Sequence, residues 1–404
     1  MTQDGGVGVS RATVRRDRAT WLTYVQVGLF GYFLYAFGPS IALLRDDQGT
    51  SRAVASLHGT AMALGAVVTG FAAPYVVHRI GRGHMLRLGS LLLATGLAIY
   101  VATTWLPVTL LGALVASAAG TLCLVGANAF IPDHQGDAAP QSMSEMHGLG
   151  ALVGLLGPIA VGVGVWIGWG WRPALVAGGV AFVVLELVRG RDVEPFDGPH
   201  GRPGTGTVKA PNTPLSRTFW VSFVVFACAA GTEFSLTFWG SDLLRERAGL
   251  GDAAAAAAIG TIVGGLAVGR LVGSRVVAQV DPERVLVGTF ALTLVGFAIA
   301  WLSSTAVPML VGLAVTGLGL GLQSPLGIGR MVRAAGAQVD RGSGLASVAA
   351  GAASGVAPFL LGAMADRIGV HSAFLIVPAM MLLAIALMRV APVPLSSDAP
   401  PVAL

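Results

Sequence analysis

Glu233 stands near the middle of an otherwise uncharged run, Thr218 to Ser241, that is long enough to cross a bilayer. A carboxylate in hydrocarbon costs about 2.5–3.5 kcal/mol even on lenient insertion scales. A side chain kept there can exchange a proton, hold a solute, or stay neutral and brace a neighbouring helix. Thr237 and Ser241 follow at i+4 and i+8 on the same helical face, a polar stripe leading toward one mouth of the run. Two more titratable residues, Glu145 and His147, open the apolar segment 142–167. Histidine titrates near neutral pH and suits proton transfer, whereas an acid in a first helical turn often only complements the helix dipole.

Several uncharged residues have the chemistry to contact a solute. Asn128, wherever it is buried, must find hydrogen-bond partners, either on another helix or on a bound molecule. Tyr32 and Tyr35, with Gly28 and Pro39, follow i, i+4, i+7, i+11 spacing along 21–44. Rings that carry hydroxyls suit the apolar face and polar edge of a sugar, and they equally make an ordinary packing stripe. Trp239 has the same two readings, and Gln323, two residues before Pro325, offers an uncharged hydrogen-bonding amide. His58 falls near the end of its apolar run, at the interface or on the pathway. No metal-ligand spacing, nucleophile–base pair or phosphate loop is present, so neither catalysis nor a metal or cofactor is expected. Cys123 and Cys228 lie inside apolar runs and read as small buried residues.

The elements that must position these groups follow from composition. Of 404 residues, 54% are hydrophobic and 11% charged, with 57 glycines and a mean hydropathy of +0.75. A soluble chain has about 25% charged residues, so a soluble enzyme is excluded, and abundant glycine suits closely packed membrane helices. Windows of about 20 residues give twelve spans: 21–44, 54–77, 85–104, 108–131, 142–167, 172–188, 218–243, 253–278, 285–303, 307–329, 343–365 and 371–391. With the N-terminus placed inside, 19 of the 25 Lys and Arg fall on the inner side and 6 on the outer. That bias sets both termini in the cytoplasm of a cell-membrane protein. The expected division is a tail at 1–20, a six-helix bundle at 21–188, a Gly/Pro-rich solvated linker at 189–216, a second bundle at 217–391 and a tail at 392–404. The halves echo each other: Gly150, Gly154, Gly157 and Pro158 in the fifth span answer Gly351, Gly355 and Pro358 in the eleventh. The net charge of +5 sits between apolar runs and is no nucleic-acid footprint.

Between the second and third spans stands His78-Arg79-Ile80-Gly81-Arg82, and a partial copy, Asp366-Arg367-Ile368-Gly369, follows the eleventh. This resembles the Asp-Arg-x-Gly-Arg loop of the major facilitator superfamily, with His78 in place of the aspartate. The resemblance implies a conformational latch at His78, Arg79, Gly81 and Arg82. Three segments look most like the fucose/glucose/galactose–proton symporter branch: Gly126-Ala127-Asn128, Met146-His147-Gly148-Leu149-Gly150 running to Gly157-Pro158, and Gly231-Thr232-Glu233-Phe234-Ser235 with Trp239. The branch's acid before the asparagine is replaced by Val125, and no acid lies within 21–44.

The expected architecture is an all-α membrane protein of twelve transmembrane helices in two pseudo-symmetric six-helix bundles that alternate access around a midplane site. The resemblance implies proton-coupled symport of a sugar or similar polar solute by a single chain. Glu233, His147 and Glu145 would handle protons, and Asn128, Tyr35, Tyr32, Trp239, Thr237 and Gln323 would contact solute. Gly157-Pro158 also resembles the glycine–proline signature of exporters, so a proton-driven antiporter of drugs or metabolites is the second reading. A channel or receptor fits twelve spans in two similar halves less well.

Overall fold

The computed structural model describes residues 13–197, 202, 214–277, 279–336 and 338–393. The expected tails before residue 13 and after 393, and most of the linker between 198 and 213, lie outside the described residues. The first half comprises α1 (Arg18–Gln48), α2 (Arg52–Ile80), α3 (Arg82–Val101), α4 (Leu106–Gln135), α5 (Ala139–Trp166) and α6 (Arg172–Arg189). The second comprises α7 (Arg217–Ala248), α8 (Asp252–Val277), α9 (Pro282–Leu302), α10 (Ala306–Ala335), α11 (Val339–Ile368), α12 (Val370–Ala373) and α13 (Ile376–Val390). Among the described residues, eleven spans are long and apolar enough to cross a membrane. The twelfth, α6, carries Arg172, Glu186 and Arg189 within its 18 residues and packs on α1 and α3.

Local sequence explains the boundaries. Asp17 caps α1 by accepting from Thr20 N at 2.9 Å, and Gly49 and Gly249 close α1 and α7 at φ +61° and +63°, where glycine carries no steric penalty. Asp17 also accepts from His134 at 2.7 Å. Burial pushes its carboxyl up, but the hydrogen bonds from Thr20 and His134 outweigh that and hold it below the usual carboxylate range. Two expectations need correction. The last span is not one helix: Pro378 has no N–H to give Phe374, so the chain breaks between α12 and α13, with Val377 N bonded to Phe374 O at 3.0 Å. The linker is not solvated throughout. Val193 and Phe196 are buried, the Phe196 ring lies 5.6 Å from Phe130, and Asp197 accepts from Gly83 N at 2.8 Å.

The two halves repeat with a constant offset of 200 residues. Gly65 on α2 meets the backbone of Leu114 and Ala118 on α4, and Gly265 on α8 meets that of Ala314 and Leu318 on α10. Gly96 and Gly112 join α3 to α4 as Gly296 and Gly312 join α9 to α10. One ion pair is repeated with its polarity reversed. Arg82 at the start of α3 holds Asp133 on α4 at 2.9 Å, whereas Glu283 at the start of α9 holds Arg330 and Arg333 on α10.

The halves meet mainly on the side away from the chain termini. There Gly162 on α5 seats Ala253 and Ala257 of α8, Gly362 on α11 seats Ser56 and Arg52 of α2, and Gly38 on α1 abuts the carbonyl of Thr237 on α7. An ion network seals this far side. Asp242 on α7 accepts from Arg45 on α1 and from Arg52 on α2 at 2.8 Å, Arg245 holds Asp46 at 3.0 Å, and Arg52 reaches Glu246. On the termini side the halves part: a side chain at Gly70, Gly148 or Gly344 would meet nothing within 4 Å. Gly70, Phe71 and Val125 line a cleft there opposite Gly344 and Val348.

Two outcomes follow. Gly65→Val and Gly265→Val, which must push helix backbones apart, each destabilise the chain by about 1–3 kcal/mol, while Gly70→Val stays within about 0.5 kcal/mol; thermal unfolding in detergent reads the contrast, and equal losses would contradict the packing. Asp242→Asn leaves clustered arginines without their central acid, a loss of about 3–5 kcal/mol when one partner of a buried pair goes. Hydrogen–deuterium exchange then rises in the far-side ends of α1 and α7, and unchanged protection there would contradict the seal.

Candidate functional site

Tyr35 and Glu233 lie near the middles of α1 and α7, and their meeting is a consequence of helix packing. Gly31 lets the α5 backbone at Gly150 approach α1, and Gly154 leaves room for the Tyr35 ring, which a Cβ there would strike at 2.7 Å. The tyrosine therefore lies against α5 with its hydroxyl directed at the other half. That hydroxyl donates to Glu233 Oε1 at 2.9 Å, with Tyr35 only 5% exposed and Glu233 8%. The contact joins the two halves at mid-depth, below the far-side seal.

Three more polar side chains extend the group toward the open side. Arg270 on α8 anchors its Nε on the carbonyl of Gly321 of α10 at 3.3 Å, and its guanidinium faces the Tyr35 hydroxyl and acts electrostatically on His147. His147 on α5 bonds through Nε2 to Asn128 Oδ1 of α4 at 3.2 Å. Gly148, the residue after His147, borders open space. Five helices thus contribute Asn128, His147, Arg270, Tyr35 and Glu233 to one polar group between the halves, with open space beside it at Gly148. The arrangement can hold a polar molecule by charge and hydrogen bonds. Among the described residues no cluster of His, Cys, Asp and Glu suits a metal ion.

The other expected site residues are placed elsewhere in this conformation. Tyr32 donates to the carbonyl of Ala174 at 2.8 Å, fixing α1 on α6. Trp239 is fully enclosed and donates to the carbonyl of Pro358 at 3.1 Å, fixing α7 on α11. Gln323 donates to Thr293 Oγ1 at 2.8 Å between α10 and α9. Thr237 donates back to the Glu233 carbonyl at 2.9 Å, and Ser241 Oγ is buried without a partner, so the polar stripe on α7 runs into the sealed interface. Glu145 accepts from Arg16 at 2.7 Å on the termini side, away from Glu233. In the loop, Arg82 binds Asp133 within its own half, Arg79 lies over the Tyr75 ring at 5.1 Å, His78 is exposed and Gly81 takes φ +81°. His58 is buried and bonds Thr109 at 2.8 Å.

Sequence reasoning did not single out Arg270 as a site residue, although it falls inside the eighth span, 253–278. The signal was present: α8 begins at Asp252, and about 20 residues are needed to cross the hydrocarbon, which places Arg270 inside it. The ion network around Asp242 was also missed, because its partners lie nearly 200 residues apart.

Comparison with known proteins agrees with this architecture. The sequence family described as Major Facilitator Superfamily matches residues 23–280 and again 263–403, almost the whole chain. No curated protein matches the sequence. Among solved structures, a bacterial homolog of the human lysosomal transporter Spinster, inward-facing and occupied, superposes with a TM-score of 0.72 at 13% identity, covering 92% of this chain and 96% of that one. The nucleoside transporter NupG gives 0.69 at 15% identity, covering 92% and 98%. The human organic anion transporter MFSD10 gives 0.67 at 13% identity, covering 93% and 100%. At such identities the likeness concerns the fold alone. With the family match spanning both halves, the chain belongs to the Major Facilitator Superfamily, a multi-pass membrane transporter.

Proposed function

We propose that this transporter carries a small polar solute, of sugar-like size and hydroxylation, together with a proton, by alternating access and as a single chain. The observation that carries the reading is the Tyr35–Glu233 hydrogen bond, which places an ionisable group where the two halves must separate and rejoin. A protonated Glu233 loses its charge and tolerates the dry, closed interface; an ionised one needs a donor or water. Proton and solute need only bias the same two-state equilibrium to become coupled. The arginine excess on the termini side argues that this side is cytoplasmic. The conformer described, sealed on the far side and parted on the termini side, is then inward-facing in a cell membrane. Asn128 and His147, on the open side of Glu233, supply neutral hydrogen bonding for solute hydroxyls. The exporter reading, with a cationic drug exchanged for protons, is disfavoured by the Arg270 charge in the same cavity.

Proteoliposomes with an imposed pH gradient test this. Glu233→Gln, which stays neutral, loses at least about tenfold of the gradient-driven accumulation while solute exchange without a gradient persists at a reduced rate. Accumulation that still follows the pH gradient in this variant would refute the assignment of the proton to Glu233.

A further inference from the structure

Arginines buried in this bundle are matched to acids. Arg82 faces Asp133 at 2.9 Å, Arg189 faces Glu186 at 2.8 Å, and Arg330 faces Glu283. Arg270 breaks the pattern. It lies within α8, partly enclosed, and no carboxylate among the described residues comes within 4 Å of it. Its Nε is held by the Gly321 carbonyl, which leaves the terminal nitrogens free to interact with the Tyr35 hydroxyl. A guanidinium at this depth without a counter-ion is costly, and its planar fork matches a carboxylate in two parallel hydrogen bonds.

We propose that Arg270 is the anchor for a carboxylate on the transported solute, so that the substrate is a small hydroxylated organic acid such as a sugar acid. This rests on the transporter reading above and names its substrate class. Charge selects the monoanion. One guanidinium neutralises one carboxylate, whereas a phosphate dianion would leave excess negative charge beside Glu233. Asn128 and His147, joined at 3.2 Å on the open side, are placed for the hydroxyls.

The same geometry supplies the coupling. Glu233 and Arg270 share the Tyr35 hydroxyl, one accepting its proton and the other interacting with its oxygen. A carboxylate on Arg270 takes up that compensating positive charge and brings a second negative charge near Glu233. Two like charges in so enclosed a site are costly, and a proton on Glu233 relieves them. Acid and proton therefore favour each other, and the loaded site is neutral enough to close. Among the described residues no other ionisable side chain is hydrogen-bonded or ion-paired to Glu233. Among the helices packed on α7, the charges of α10 and α13 (Arg330, Arg333, Arg389) lie at the termini side. On α1, Arg18 lies at the termini side and Arg45, Asp46 and Asp47 at the far side. Asp252 of α8 and Asp366 and Arg367 of α11 lie at the far side with Asp242 of α7 itself, Arg275 of α8 lies at the termini side, and His371 of α12 stacks on Trp301.

The test uses the full chain in proteoliposomes, with radiolabelled D-glucuronate, D-gluconate and the neutral, similarly sized D-glucose. Uptake of at least one acid is expected to rise at least tenfold with the outer pH lowered, and glucose uptake is expected to stay at background. Arg270→Gln abolishes acid uptake, and Arg270→Lys, which keeps charge but loses the fork, raises KM at least tenfold; Arg275→Gln, an exposed arginine farther along α8, changes neither. Thermal unfolding of the purified variants verifies folding, and stabilisation by the acids reads binding apart from transport. Glucose transport that survives Arg270→Gln would overturn the anion site while leaving proton-coupled transport standing. pH-independent uptake of every solute would instead sink the proton-coupled reading. Absence of both binding and uptake of every acid by the unaltered protein overturns the proposal outright, and so does acid uptake that Arg270→Gln leaves intact.

Discussion

The hydrogen bond from Tyr35 to Glu233 crosses between the two halves at the depth where water is scarcest, and much of the surrounding packing serves to hold it there. A buried carboxylate without a donor pays for its lost hydration, so the halves cannot part at this level unless the carboxyl finds water, a proton or a solute in exchange. Gly154 makes space for the tyrosine ring, and Gly38 brings α1 onto α7 one turn farther toward the sealed side. The geometry leaves little slack, since both groups are almost fully enclosed.

Outside that contact, electrostatic pairing separates what is fixed from what is free to work. Within each half, ion pairs on the termini side tie helices into one body: Arg82 with Asp133, Arg87 and Arg189 with Glu186, and Arg330 and Arg333 with Glu283. Between the halves, the Asp242 network adds ionic contacts to apolar packing such as Phe37 against Phe238, so the far side is closed by both.

Most of the architecture was legible because membrane constraints are read along the chain: apolar length sets spans. Glu233 was legible for the same reason, as a charge where none should be. His147 and Asn128 fell within segments similar to a known family, and they do meet. Tyr32, Trp239 and Gln323 could not be sorted from Tyr35 by type or spacing. Whether a polar tip turns to a cavity or to a neighbouring carbonyl depends on helix rotation, which is set by partners distant in sequence. Arg270 was hidden differently: it counted as one more arginine in the charge bias, although the eighth span contains it. The break before α13 needed only attention to Pro378, whose effect is local.

The reversed polarity of the ion pair at the α3–α4 and α9–α10 junctions bears on how the chain assembles. The halves are near-copies in backbone, so a newly made second half could in principle dock α10 against α3 instead of α9. That mispairing would set Arg82 against Arg333, and the reciprocal one would set Asp133 against Glu283. Repulsion replaces attraction in both wrong pairings. The swap thus works as an identity tag between two duplicated bodies, penalising an internal domain swap, a characteristic failure of repeat-built chains.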